Sequence, residues 1–282
     1  MMDKLKNGGL KGAIIGDIVG SIYEFDNHRS KEFEFFGDEC GFTDDSVMSV
    51  AVAHAIALWN GWTVDDGNRR NSLCETLVKS MQAFGDYYPY AGYGGMFGDW
   101  LCESDPQPYN SWGNGAPMRC SAAGMTGNTA EEAYRLGEAT AEVTHNHPYA
   151  MKAAGLTAEI IWRARHGESM EQLEKLARCN YEILSVDWNI ENNEYSEASQ
   201  YTMPPALASF LESTSFEDAI RNAIAVGGDS DTIGAIVGAM AEAYWGIPDE
   251  IWAKAESYLD ERLKRIVRDF YAHTVEKEAA EK

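Results

Sequence analysis

Apolar residues recur along the chain three and four positions apart, the spacing of one helix face, and no stretch alternates apolar and polar residues between hairpin signals. The pattern predicts helices over residues 8–25, 47–59, 73–84, 130–143, 149–166, 170–179, 206–211, 216–225, 232–245 and 248–273. The fold class is therefore all-α. Trp62–Asn71 reads as a polar turn, and Tyr87–Gly98 and Ser111–Arg119 read as loops, because glycines interrupt every helical run there. Residues 185–202 lack useful periodicity and read as a surface excursion, after which Pro204-Pro205 opens a helix at its first turn. Residues 276–282 read as a charged, frayed tail. No Pro/Ser/Gly linker divides the chain, so 1–282 reads as a single compact multi-helix domain.

Two helix starts carry an excess of oxygen-bearing side chains. One is Gly228-Asp229-Ser230-Asp231-Thr232, the other Phe42-Thr43-Asp44-Asp45-Ser46, and each opens an apolar, small-residue helix. Acids and threonines at such positions serve as plain caps that suit the helix dipole. Brought together, the two starts would instead offer four aspartates and two threonine hydroxyls, a donor set for hard divalent cations that Glu24 would extend. The residues alone leave both readings open. Asp17 and Glu24 lie seven apart in a segment whose Gly12, Gly16 and Gly20 leave one helix face bare for another helix to approach.

The remaining candidates are weaker. The glycine and aromatic residues of 87–98 suit a packing corner or a loop that lets a ligand lie against backbone. Gly113-Asn114-Gly115 suits a turn or an anion-binding nest, but it is no phosphate-binding Gly-Lys-Ser/Thr loop. His145 and His147 lack nearby third and fourth ligands, which argues against zinc.

Composition narrows the classes. The 282 residues carry a formal net charge of -22 and are 45% hydrophobic. That charge opposes general nucleic-acid or anionic-membrane binding, although backbone N–H groups can still form a local phosphate pocket. No apolar run approaches the roughly 20 residues needed to span a bilayer. The five scattered cysteines form no Cys-x-x-Cys pair, and the expectation is a reduced, cytoplasmic protein.

Taken in order, Gly16-Asp17-Ile18-Val19-Gly20, Glu24, Phe42-Thr43-Asp44-Asp45, Gly92-Tyr93-Gly94-Gly95, Ser111 to Arg119, Thr144-His145 and Val226 to Thr232 resemble the ADP-ribosylglycohydrolase family. The resemblance implies a compact all-α fold, two Mg2+ or Mn2+ ions, and hydrolysis at the C1″ carbon of ADP-ribose. Its metal ligands would be Thr43, Asp44, Asp45, Asp229, Asp231 and Thr232, with Glu24 beside them. Glu24, Asp44, Asp45 and Asp231 would carry the chemistry. Trp112 falls where the family places an aromatic under adenine. Ser111, Gly113, Asn114, Gly94 and Gly95 match loops that hold pyrophosphate and ribose, and His145 matches a ligand-side histidine. The implied substrate is an ADP-ribosylated protein or a small-molecule ADP-ribose conjugate, and Glu24 tilts the acceptor toward an O-linked one. The rivals are a metal-dependent phosphohydrolase acting on a nucleotide-like substrate and a non-catalytic ADP-ribose-binding module.

Overall fold

The computed structural model describes residues 7–59 and 67–280. Among them all regular structure is helical, and the one extended pairing is an isolated antiparallel bridge between Gly113 and Ala198. The chain runs through α1 (Leu10–Gly20), α2 (Asp44–Trp59), α3 (Gly67–Tyr87), α4 (Gly95–Leu101), α5 (Gly115–Met118) and α6 (Ser121–Thr126). It continues through α7 (Ala130–Glu142), α8 (Pro148–Arg165), α9 (Met170–Asn180), α10 (Val186–Asn192) and α11 (Ser199–Leu211). Four further helices complete it: α12 (Phe216–Ala225), α13 (Ser230–Trp245), α14 (Asp249–Glu256) and α15 (Glu261–Ala280).

Helices α1 and α13 are buried along almost their whole lengths, as is α2 from Asp45 to Ile56, so these three lie at the centre. One hydrophobic cluster, drawing on residues from Leu10 to Phe270, surrounds them. Outer helices such as α9 and α12 show the two-sided pattern of an element with one face in solvent.

The packing of α1 on α13 is set by glycines. A methyl group on Gly16 would stand 1.8 Å from the Gly234 carbonyl oxygen, and one on Gly12 would stand 2.0 Å from that of Gly238. On Gly20 it would lie 2.5 Å from the Asp231 Cα. The partners fall along α13 as they rise along α1, so the pair is antiparallel and the end of α1 meets the start of α13. At the other end, buried Glu242 accepts from the Gly8 and Gly12 N–H groups, at 3.1 and 2.7 Å, and from the Tyr271 hydroxyl at 2.7 Å. That carboxylate caps α1, whose own N-cap, Gly9, has no side chain to do it.

Several boundaries differ from the sequence expectation. The first helix stops at Gly20 and passes into turns, so Glu24 lies beyond it. The segment 87–98 is not wholly loop: α4 begins at Gly95, because Phe97, Trp100 and Leu101 share one buried helical face that the glycines disguise. The segment 111–119 contains α5, and α6 follows it. Pro204 and Pro205 sit inside α11, which begins at Ser199 rather than at the prolines. Its start is fixed by Ser199, whose N–H bonds to the Trp112 carbonyl and whose hydroxyl bonds to that of Gly113. The excursion 185–202 holds α10 and the first turn of α11. Residues 248–273 divide into α14 and α15, where Asp260 Oδ1 accepts from the N–H groups of Arg262 and Leu263, both at 2.9 Å. Helix α15 runs on to Ala280, so most of the expected tail is helical, and 281–282 lie outside the described residues, as do 60–66, which include the first half of the polar turn; its second half, 67–71, is not a turn but the start of α3.

Gly16→Ala tests the close approach of α1 and α13. Alanine normally favours a helix over glycine by about 1 kcal/mol, yet here the expected outcome in urea unfolding is a loss of about 3 kcal/mol. Gly98→Ala in α4, whose added methyl meets nothing within 4 Å, is expected to gain about 0.5–1 kcal/mol. Equal behaviour of the two variants would contradict the packing.

Candidate metal centre and active-site cavity

The start of α2 is capped from another helix. Asp17 of α1 is fully buried and accepts the Thr43 N–H at 2.9 Å and the Thr43 hydroxyl at 2.6 Å. It also accepts the Ser46 N–H at 3.0 Å and the Ser46 hydroxyl. A carboxylate offers about four lone-pair sites, so these donors occupy Asp17 and leave it a support behind the site rather than a free ligand. Burial still raises its pKa, against the pull of those four bonds.

The start of α13 is aimed by a turn that needs glycine. Gly227 and Gly228 have φ of 62° and 86°, the left-handed region that side chains resist. Three side chains clamp this turn. Asn27 donates to the Gly228 carbonyl and accepts from the Gly228 N–H, each at 2.8 Å. Arg29 bonds to the carbonyls of Val226 and Asn193, and Asn193 donates to that of Gly227 at 3.0 Å. From the far wall, Asn114 Nδ2 donates to Asp229 Oδ2 at 2.7 Å.

The two starts converge on a cavity of about 300 Å³. Glu24, Thr43, Asp44, Asp45, Asp229, Asp231 and Thr232 all line it. Carboxylate oxygens of Glu24, Asp229 and Asp231 lie within 4.8 Å of one another, as do those of Asp17, Asp45 and Asp231, so Asp231 belongs to both groups. Asp44 lies outside both, with its Oδ1 3.6 Å from where a side chain on Gly92 would begin. Thr232 Oγ1 stands 3.3 Å from Asp45 Oδ2.

This crowding resists ionisation. Burial first, and then the charge of Asp231, pushes Asp44 up to about 8, Glu24 up to about 7 and Asp45 well above the usual range. Burial and Asp229 do the same to Asp231. Asp229 reaches about 6, because hydrogen bonds from Asp231 and Asn114 oppose its burial. Among the described residues no Lys or Arg forms an ion pair with any of these groups. Asp45 Oδ1 is buried with no hydrogen-bond partner. An all-oxygen donor set, an orphaned carboxylate oxygen and an uncompensated cluster of acids fit hard divalent cations such as Mg2+ or Mn2+.

The opposite wall supplies donors. Gly94, Gly95, Ser111, Gly113, Asn114 and His145 line it, whereas Trp112 lies outside the lining, 56% exposed and edge-on to His147 at 5.8 Å. His145 is buried, and desolvation followed by the Arg119 charge holds its pKa well below the ordinary value, so it is neutral. Its Nδ1 faces the Thr144 hydroxyl at 2.6 Å and Arg119 Nη2 at 3.4 Å. Arginine can only donate, so Nδ1 accepts and Nε2 carries the proton. That Nε2 would lie 3.1 and 3.3 Å from side chains added at Gly113 and Gly115. Arg119 is itself buried, and burial lowers its pKa to about 10.

Sequence reasoning missed Tyr195 and Glu197, which also line the cavity, and the clamp of Asn27, Arg29 and Asn193. Only the Gly227-Gly228 pair hinted at a turn that needed holding.

The family model described as ADP-ribosylglycohydrolase matches residues 6–280, and the chain belongs to that family of hydrolases. It is 25% identical over 279 residues to the ADP-ribosyl-[dinitrogen reductase] glycohydrolase of Rhodospirillum rubrum, covering 93% of this chain and 92% of that one. It is 23% identical to ADP-ribosylhydrolase ARH3 of Bos taurus, covering 89% and 88%. A solved structure titled ADP-ribosylglycohydrolase-related protein complex has the same fold, with a TM-score of 0.67 at 21% identity over 97% of this chain and 100% of that chain.

Two outcomes are expected. Carboxylates with raised folded pKa values stabilise the fold fully below their unfolded values of 3.8 and 4.5, and that stability is lost as pH rises through about 6, 7 and 8 for Asp229, Glu24 and Asp44. Melting in EDTA should therefore worsen from pH 5 to pH 8, while the gain from Mn2+ should grow over the same range, reaching about 2.7 kcal/mol at a hundredfold excess over Kd. Separately, Asn27→Ala should weaken Mn2+ binding about 10-fold by calorimetry through the loosened Gly228 turn.

Proposed function

We propose that the protein hydrolyses the glycosidic bond between C1″ of ADP-ribose and an acceptor, either a protein side chain or a small molecule, and releases ADP-ribose. The observation that carries this reading is Asp231, grouped with Glu24 and Asp229 and again with Asp45, behind which Asp17 stands, on one wall of a cavity whose other wall is glycine backbone and neutral donors. Two Mg2+ or Mn2+ ions, held by Thr43, Asp44, Asp45, Asp229, Asp231 and Thr232 with Glu24 beside them, would supply Lewis acidity and charge compensation at the distal ribose.

The chain's own groups divide the remaining work. Gly94, Gly95, Gly113 and Ser111 offer open backbone and a hydroxyl to pyrophosphate and ribose, a mode of anion binding that an acidic protein can use. His145 Nε2–H donates to the ligand from a ring that stays neutral. Asn114 holds Asp229 in place. Glu24 lines the cavity beside the proposed ions, where its carboxylate could carry a proton to or from the attacking water. Trp112, exposed between the lining residues Ser111 and Gly113, would be the aromatic on which an adenine ring extending from the cavity could stack. The five cysteines, all free, support a reduced, cytoplasmic setting for the protein.

Asp44→Ala and Asp231→Ala are expected to lower turnover by at least about 1,000-fold, roughly 4 kcal/mol of activation free energy, without loss of helical circular dichroism. Free ADP-ribose released from ADP-ribosylated arginine and serine peptides is the measurement. Full activity in either variant, or release of inorganic phosphate in place of ADP-ribose, would sink the assignment.

A further inference from the structure

Beside the reaction cavity lies a second groove of about 570 Å³, walled by α10, the segment Asn193–Ser196 and the start of α11. Tyr195 lines both. Leu184, Trp188, Tyr195 and Tyr201 are all exposed along this groove, with Pro204 and Pro205 at its side. Phe25, 86% exposed, packs its ring 6.4 Å from that of Tyr195 and extends the apolar surface toward Glu24. Five of the eleven large hydrophobic side chains exposed among the described residues thus gather at one place. Trp188 and Tyr201 pack on no other ring among the described residues. Contiguous exposed apolar surface of this kind marks a binding site.

Its electrostatics select the occupant. Residues 181–205 contain Glu182, Asp187, Glu191, Glu194 and Glu197 and no Lys, Arg or His. None of these acids forms an ion pair among the described residues, and nearby Arg29 is engaged with backbone carbonyls. Aromatic faces flanked by unpaired carboxylates suit guanidinium and ammonium groups, which gain both a ring face and a counter-charge. A nucleic acid would be repelled, and a second copy of this chain would bring a net charge of -22 against the same acids.

We propose that this groove docks a Lys/Arg-rich segment of the ADP-ribosylated polypeptide next to its modified residue; the inference rests on the glycohydrolase reading above. Continuity supports it. Tyr195 stands between the two spaces, its hydroxyl 3.2 Å from Glu197 and 3.5 Å from Glu24, so a polypeptide whose modified side chain enters the cavity would lie across that ring.

The test is the double variant Trp188→Ala/Tyr201→Ala, which removes exposed rings outside the reaction cavity and leaves the net charge unchanged. Three substrates are compared: a peptide ADP-ribosylated at its centre with basic flanks, the same peptide with glutamate flanks, and a single ADP-ribosylated amino acid. The unmutated protein should prefer the basic peptide at least 10-fold in kcat/KM, through KM. The variant should lose that preference while keeping kcat, and should act on the single amino acid within twofold of the original rate. Absence of the preference, or its survival in the variant, overturns the proposal. Fluorescence anisotropy of the unmodified basic peptide separates the two claims. Binding weakened 10-fold by the variant supports the groove even if no ADP-ribose is ever released, in which case the glycohydrolase reading alone fails. Peptide binding that the variant leaves unchanged overturns the groove even if hydrolysis is observed.

Discussion

The approach of α1 to α13 is the constraint on which the site depends. Gly12, Gly16 and Gly20 let backbone meet backbone at Gly238, Gly234 and Asp231, where a single methyl group would overlap the facing carbonyl. Because the helices run antiparallel, this contact delivers Asp17 to the start of α13. Asp17 then reaches Thr43 and Ser46 and draws in the start of α2. A wider helix pair would separate Asp45 from Asp231 and dissolve the shared carboxylate group.

Crowding acids in this way opposes folding unless something compensates them, and the fold compensates only in part. The positive ends of α2 and α13 both point at the cluster, which favours negative charge there. Asp17 is satisfied by four donors and Asp229 by Asn114. Asp45 Oδ1 has no such partner, and burial together with neighbouring carboxylates raises the proton affinities of Asp44, Asp45 and Asp231. The facing wall has the opposite character, with open glycine backbone and a neutral His145 that buried Arg119 backs from behind. A cavity with an anionic side and a donor side suits a ligand that presents hydroxyls to one and phosphates to the other.

The acidic surface gains meaning from the same geometry. A net charge of -22 would be an undirected property of the chain if its carboxylates were spread evenly. Residues 181–205 instead carry five of them and no basic residue, with Glu182 and Glu194 lining the groove of exposed aromatic rings and Glu197 lining the cavity beside it.

Helical periodicity alone determined the all-α class and most helices, because a buried face three and four residues apart is a local property of the chain. It also marked both Asp-rich helix starts, Glu24 and the glycine stripe. Local pattern failed where the deciding contact was distant. Phe97, Trp100 and Leu101 make a helix of a glycine-rich stretch only because the core receives them. Pro204 and Pro205 are carried inside α11 because its start is fixed by Trp112 and Gly113. Tyr195 and Glu197 become cavity wall, and Asn27 and Arg29 become the clamp on Gly227-Gly228, through partners far away along the chain: Glu24, Asn114, Gly228 and Val226. The sequence by itself therefore determined which oxygen donors exist and that helix starts present them. Tertiary structure decided that the two starts meet, since the glycine contact between α1 and α13, together with the bonds from Asp17 to Thr43 and Ser46, brings segments so distant along the chain within reach of one another.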